Sequence, residues 1–127
     1  MPSEVEEQAI RIIMNFEGRQ GRTPTDVSRR GIGYDILSEG DGEKRCIEVK
    51  SRSGERQTFV TMDGGLLKRL GDDVNNYYLY LIRNVTRKNP SLRIVPPSRV
   101  LSNLQPVVRY RFAVTGKSME GIEEIAI

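Results

Sequence analysis

The apolar positions of this 127-residue chain repeat with two different periods. In residues 3–17 they recur at helical spacing. Val5, Ala9, Ile12, Ile13 and Phe16 share one side, which predicts an amphipathic helix. Ser3 and Glu6 have the spacing of a capping box at its start, and Gly18 is placed to end it. Residues 18–32 lose the period and read as a polar, basic connection with Gly21, Pro24 and Gly31. From residue 33 the period falls to two. Residues 33–38 and 43–51 read as a hairpin turned at Asp41-Gly42, a favoured pair for a two-residue type I′ turn. A third strand is predicted near Gln57–Thr61, and Asp63 is placed to cap a short helix through Leu66, Leu67 and Leu70. The run "NYYLYLIRNV" at 76–85 is nearly continuous in aromatic and β-branched residues, the composition of a strand buried on both faces. "SLRIVP" is a strand stopped by Pro96-Pro97, "PVVRYRFAV" is another, and the tail from Ser118 reads as a short helix or a frayed end. This order predicts a mixed α/β domain with one central sheet.

The hairpin turn sets a register. If Asp41-Gly42 forms the loop, Gly40 faces Glu43, and counting back along both strands sets Asp35 opposite Glu48. Directly opposed residues share a face and approach closely, and Lys50, two residues beyond Glu48, lies on that same face. Tyr34, Ile36, Ile47 and Val49 take the other face as core, leaving Leu37 and Cys46 beside the charges. Two opposed carboxylates repel. Three arrangements relieve the repulsion: one carboxyl keeps its proton, Lys50 pairs with one of them, or a divalent cation sits between them.

Composition narrows the chemistry. The chain has no histidine, which excludes a serine–histidine triad and nearly all zinc sites. Its one cysteine, Cys46, cannot form an internal disulfide and reads as a small buried residue. Net charge is only +3, but Arg19, Arg22, Arg29, Arg30, Lys44, Arg45, Lys50, Arg52, Arg56, Lys68 and Arg69 lie in the first 70 residues, while Glu120, Glu123 and Glu124 crowd the end. That distribution allows either a local basic surface for an acidic partner or an ordinary mixed surface. No apolar run is long enough to span a membrane and no signal peptide is visible, so the expectation is a soluble, cytoplasmic protein without a membrane role.

Asp35 followed on the next strand by Glu48-Val49-Lys50 resembles the PD-(D/E)XK nuclease superfamily. The segments "EEQAI", "GRTPTDVS", "GYDI", "IEVKSRSG" and "YYLYLIRNV", in that order over roughly residues 4–97, resemble the domain named for the C-terminus of the NO VEIN protein. The resemblance implies a restriction-endonuclease-like fold: a helix-strand-strand-strand-helix-strand core with a mixed central sheet flanked by helices. It suggests one nuclease-like domain over 1–127, with the core at about 3–97 and a C-terminal extension at 98–127. It also implies a metal-dependent endonuclease, a hydrolase of DNA phosphodiester bonds, within a defence, restriction or repair system. The alternative it leaves is a catalytically silent DNA- or protein-binding module beside a helicase, ATPase or restriction-system partner.

By the same resemblance, Asp35, Glu48 and Lys50 are the catalytic residues. Asp35, Glu48 and the Val49 backbone carbonyl would hold Mg²⁺ or Mn²⁺. Glu6 is either a further metal ligand or the capping-box partner of Ser3, and Glu17 on the same helix is a weaker candidate. Arg52, Arg56, Lys68 and Arg69 flank the motif and are candidates for nucleic-acid phosphates. Tyr34 replaces the superfamily's proline, and Asp63-Gly64-Gly65 replaces the family's acidic start to the second helix.

Overall fold

A computed structural model describes residues 3–52, 59–62, 65–105 and 111–127. Its organising feature is the hairpin of β2 (Ile36–Gly40) and β3 (Glu43–Arg52). Asp41 and Gly42 both have positive φ, 52° and 75°, as a type I′ turn requires. Pairing runs from Gly40 with Glu43 to Ile36 with Ile47, the expected register. The other edge of β3 pairs in parallel with β5 (Tyr77–Arg83). The crossover between them contains β4 (Phe59–Thr61), α2 (Leu66–Leu70) and a 3₁₀ segment, Gly71–Asn76. A parallel pair needs such a connection, because no tight turn can reverse the chain twice. β6 (Ser91–Val95) then pairs antiparallel with β5, and β9 (Glu124–Ala126) with β6. β1 (Thr23–Asp26) lies on the opposite edge, giving the order β1-β2-β3-β5-β6-β9.

Both faces of this sheet are covered. α1 (Glu4–Arg19) places Ala9, Ile10, Ile13 and Phe16 against Ile36, Ile47, Val49, Tyr80, Ile82 and Leu92. On the second face, Cys46, Leu79, Leu81 and Val95 pack with Leu66 and Leu70 of α2 and with Val100 of α3 (Pro97–Ser102). A small sheet of β4, β8 (Arg111–Ala113) and β7 (Leu104–Gln105) adds Val60 and Phe112 to that layer. β5 is therefore buried on both sides, as its unbroken apolar run predicted. No helix among the described residues is long and apolar enough to cross a membrane.

Several elements differ from the sequence expectation. The connection at 18–32 contains β1, which has no apolar alternation because it is an exposed edge strand. Pro24 fits there because an edge strand can spare a donor. The helix-strand-strand-strand-helix-strand order stands, but β1 supplies one of its three strands. The strand near 57–61 is instead β4, in the second sheet; residues 57 and 58 lie outside the described residues. The tail is neither helix nor frayed: β9 gains a ladder against β6. α1 continues through Gly18 to Arg19. Asp63, expected to cap α2, lies outside the described residues, as does 106–110 of "PVVRYRFAV"; Gly65 occupies the cap position.

Candidate active site

The chain leaves the β2–β3 ladder at Asp35, just before β2 begins. The Asp35 N–H donates to the Ile47 carbonyl at 2.8 Å, and its own carbonyl accepts from the Val27 N–H at 2.8 Å. Its side chain stands in for a backbone carbonyl: Oδ2 accepts the Val49 N–H at 2.8 Å. Gly33 makes this departure possible. It has φ +97°, and a Cβ there would meet the Leu66 side chain at 3.4 Å, with Arg69 and Leu70 also within 4 Å. α2 therefore sits directly on the glycine. The break in alternation also corrects the placement of Tyr34. Expected under α1 with Ile36, it packs on the opposite face, against Cys46.

Glu48 lies on that second face, beside Leu79 of β5, and its carboxyl meets the carboxyl of Asp35. Burial pushes the Glu48 carboxyl well above the usual range, and the hydrogen bond and charge of Asp35 push it further. The charge of Lys50 and the hydroxyl of Tyr77 pull it back down without cancelling the rise. Asp35 and Glu48 line a recess of about 170 Å³ with Ser28, Gly31, Gly33 and Arg69. The structure thus brings Asp35, Glu48 and Lys50 together. The Val49 N–H points at Asp35, and strand geometry turns a residue's carbonyl toward the same neighbour as its N–H, so the Val49 carbonyl faces that edge too.

The remaining candidates lie elsewhere. Glu6 is exposed in the first turn of α1, the helix that covers the opposite face of the sheet, and its N–H donates to Ser3 Oγ at 3.2 Å. Among the described residues, no three of histidine, cysteine, aspartate and glutamate cluster as metal ligands. Glu17 is fully buried and accepts bonds from Arg22 at 2.5 and 2.8 Å and from the Tyr80 hydroxyl at 2.7 Å. Arg69 reaches the recess, with a long bond of 3.4 Å to the Gly31 carbonyl, and Lys68 is exposed on the same short helix. Arg52 is buried at the end of β3, near Arg83 and Arg93. Arg56 lies outside the described residues. Sequence reasoning placed Tyr77 in the core and missed its contact with Glu48. Its pairing with Cys46 across the parallel β3–β5 ladder cannot be counted from a turn.

A mixed sheet with helices on its faces and an acidic pair at the mouth of its hairpin is the layout of a restriction-endonuclease-like nuclease fold. Among solved structures, the chain is similar to Archaeoglobus fulgidus Hjc, a Holliday junction resolvase from an archaeal hyperthermophile, solved at 1.6 Å. The TM-score is 0.65 at 16% identity, over 94% of this chain and 90% of that one, a likeness that speaks for the fold. The profile of the family described as "Protein NO VEIN, C-terminal" matches residues 5–95, and the chain belongs to that family. No curated protein matches the chain.

Proposed function

We propose that the chain is a divalent-metal-dependent nuclease domain that hydrolyses DNA phosphodiester bonds, and that it is a single such domain over 1–127 serving a defence, restriction or repair system. One observation carries this reading: two carboxyls are held in contact at the mouth of a recess, with a lysine on the same strand face, in a fold shared with a resolvase. Asp35 also accepts the Val49 N–H, but two facing carboxyls remain a costly arrangement while both are ionised. The donor set fits a hard cation: two carboxylates and the Val49 carbonyl on one edge are oxygen ligands of the kind Mg²⁺ and Mn²⁺ accept. When bound, such a cation would supply Lewis-acid stabilisation of charge on the phosphate.

The protein's own groups have separate tasks. Asp35 and Glu48 would hold the ion, and the Val49 N–H fixes the rotamer of Asp35. Lys50 orients the attacking water and offsets charge developing on the phosphate. Arg69, at the rim, is placed to meet an adjacent phosphate. The alternative is a DNA-binding module that does not cut, and it too has an observation in its favour: no third acidic ligand joins the pair among the described residues.

The test is cleavage of single-stranded, duplex and four-way-junction DNA in Mg²⁺ or Mn²⁺, with EDTA and Lys50→Ala as controls. Cleavage that disappears with EDTA and with Lys50→Ala supports the nuclease. Binding without cleavage on every form and with both metals sinks it in favour of the silent module.

A further inference from the structure

The second face of the sheet does not end at Lys50. Register carries the row sideways from Lys50 to Leu81, then to Arg93 of β6 and Glu124 of β9. The next row runs from Arg52 to Arg83 and Ser91. Side chains alternate along a strand, so Glu48, Lys50, Arg52, Arg83 and Arg93 all share one face. Arg83 and Arg93 both pair with the carboxylate of Glu124, Arg93 Nε at 3.3 Å from Oε1, and Ser91 bonds to the same carboxylate. This patch is partly open: the side chains of Arg83, Arg93 and Glu124 keep 23%, 30% and 34% of their exposure. Burial disfavours the charge of Arg52, the nearby charges of Arg83 and Arg93 disfavour it further, and Glu124 opposes them. Beyond it, Arg52 and Arg87 line a cavity of about 230 Å³ at the end of the sheet, with Ser51, Asn84 and Thr86 supplying polar groups.

We infer that Arg83 and Arg93, with Arg52 behind them, form a phosphate-binding subsite for the nucleic-acid backbone, and that the Glu124 carboxylate occupies it when no strand is bound. A carboxylate and a phosphate oxygen make the same bonds to guanidinium, so one can replace the other. Four residues of strand separate Arg52 from Glu48, about 13 Å. That distance corresponds to on the order of four nucleotide steps along a stacked strand. The subsite therefore holds the chain several nucleotides from the recess and sets its direction across the face. This inference rests on the reading of the recess as a nucleic-acid site.

The experiment is fluorescence anisotropy with a short mixed-sequence DNA duplex in EDTA, so that binding is read without cleavage, over a series of salt concentrations. The variants are Arg83→Gln/Arg93→Gln and Glu124→Gln. The double variant is expected to bind more weakly, with a salt slope smaller by about 2, close to one unit for each phosphate no longer neutralised. Glu124→Gln is expected to bind several-fold more tightly than the parent, a gain that misfolding cannot imitate. If the arginines only pin β9 to the sheet, Glu124→Gln lowers the melting temperature and does not tighten binding, and the inference falls. A parent that binds no DNA also overturns it. A parent that cuts DNA, with Kd and salt slope unmoved by either variant, overturns the subsite but leaves the nuclease. Binding that responds as expected in a parent that never cuts keeps the subsite and removes the nuclease.

Discussion

Glu17 and Glu48 are both withdrawn from water, on opposite faces of one sheet, and they are treated in opposite ways. Burial alone would raise Glu17, but the two bonds from Arg22 and the one from the Tyr80 hydroxyl outweigh it and hold the carboxyl below its usual range. Arg45 extends this network from the Tyr80 hydroxyl to Glu43, tying the end of α1 to the hairpin. Glu48 faces another carboxyl, and burial and Asp35 drive it well above that range. A buried acid surrounded by donors is a structural fastening. A half-buried acid set against a second acid is unfinished until a proton or a cation joins it.

The largest expected effect falls on the satisfied site. Glu17→Ala removes a fully buried carboxylate and leaves the half-buried Arg22 guanidinium only its long 3.9 Å pairing with Glu43, and is expected to cost about 3–5 kcal/mol of stability, read by urea unfolding. A loss below about 1 kcal/mol, the scale of an exposed ion pair, would break the comparison, since Glu17 would then fasten nothing. Next is Glu48→Gln. Cleavage is expected to fall by about 10²–10³-fold, while the protein melts at the same temperature or a few degrees higher in EDTA because a like-charge pair is gone. Mg²⁺ is expected to raise the melting temperature of the parent but not of this variant. A Glu48→Gln protein that loses as much stability as Glu17→Ala would show that both glutamates are structural.

The two acids also predict opposite pH responses in EDTA. The folded pKa of Glu17 lies below its unfolded value, so its contribution is complete above that unfolded value, near 4.5, and drains away as pH falls toward the folded one. The folded pKa of Glu48 lies above 4.5, so its folded form holds the extra proton, and stability declines as pH rises from about 4.5 through the raised value. Asp35, Lys50 and Tyr77 are the groups facing it. Unfolding free energy measured against pH is expected to have a shallower acid-side slope in Glu17→Gln, with the contributions of Glu43 and Glu124 remaining, and a weaker rising-pH decline in Glu48→Gln. Identical profiles for the two variants would refute the assignment of opposite signs.

What the sequence disclosed follows how local each signal was. Asp41-Gly42 fixes its own turn, so the register, and with it the meeting of Asp35, Glu48 and Lys50, was readable by counting. Tyr34 was misplaced because the positive φ of Gly33 breaks the alternation that counting assumes. β1 carries no two-residue apolar period, because it is an exposed edge strand, and β9 shows only the single pair Ile125 and Ile127, too short a run to read as a strand. Glu17 was read as a possible site residue because helical spacing gives a face but not the partner that occupies it. The arginine patch was invisible for a further reason: β3, β5, β6 and β9 become neighbours only through crossovers and long returns.

Tyr77 gives the comparison its finest test. It is fully buried, and in the sequence it is one aromatic in an apolar strand. Its hydroxyl favours the ionised form of Glu48, the only form that can bind a cation. In Tyr77→Phe that support goes while the ring stays in place, so the melting temperature should move little. The pKa of Glu48 should rise, shifting the acidic limb of the cleavage profile to higher pH. Cleavage near that limb should fall by up to about tenfold, the scale of one hydrogen bond to a charged group. The pH profile is the deciding readout, because a tyrosine that merely fills space would change the rate or the stability without moving the limb. An unmoved limb would return Tyr77 to the core, leaving Lys50 as the group that tempers Glu48.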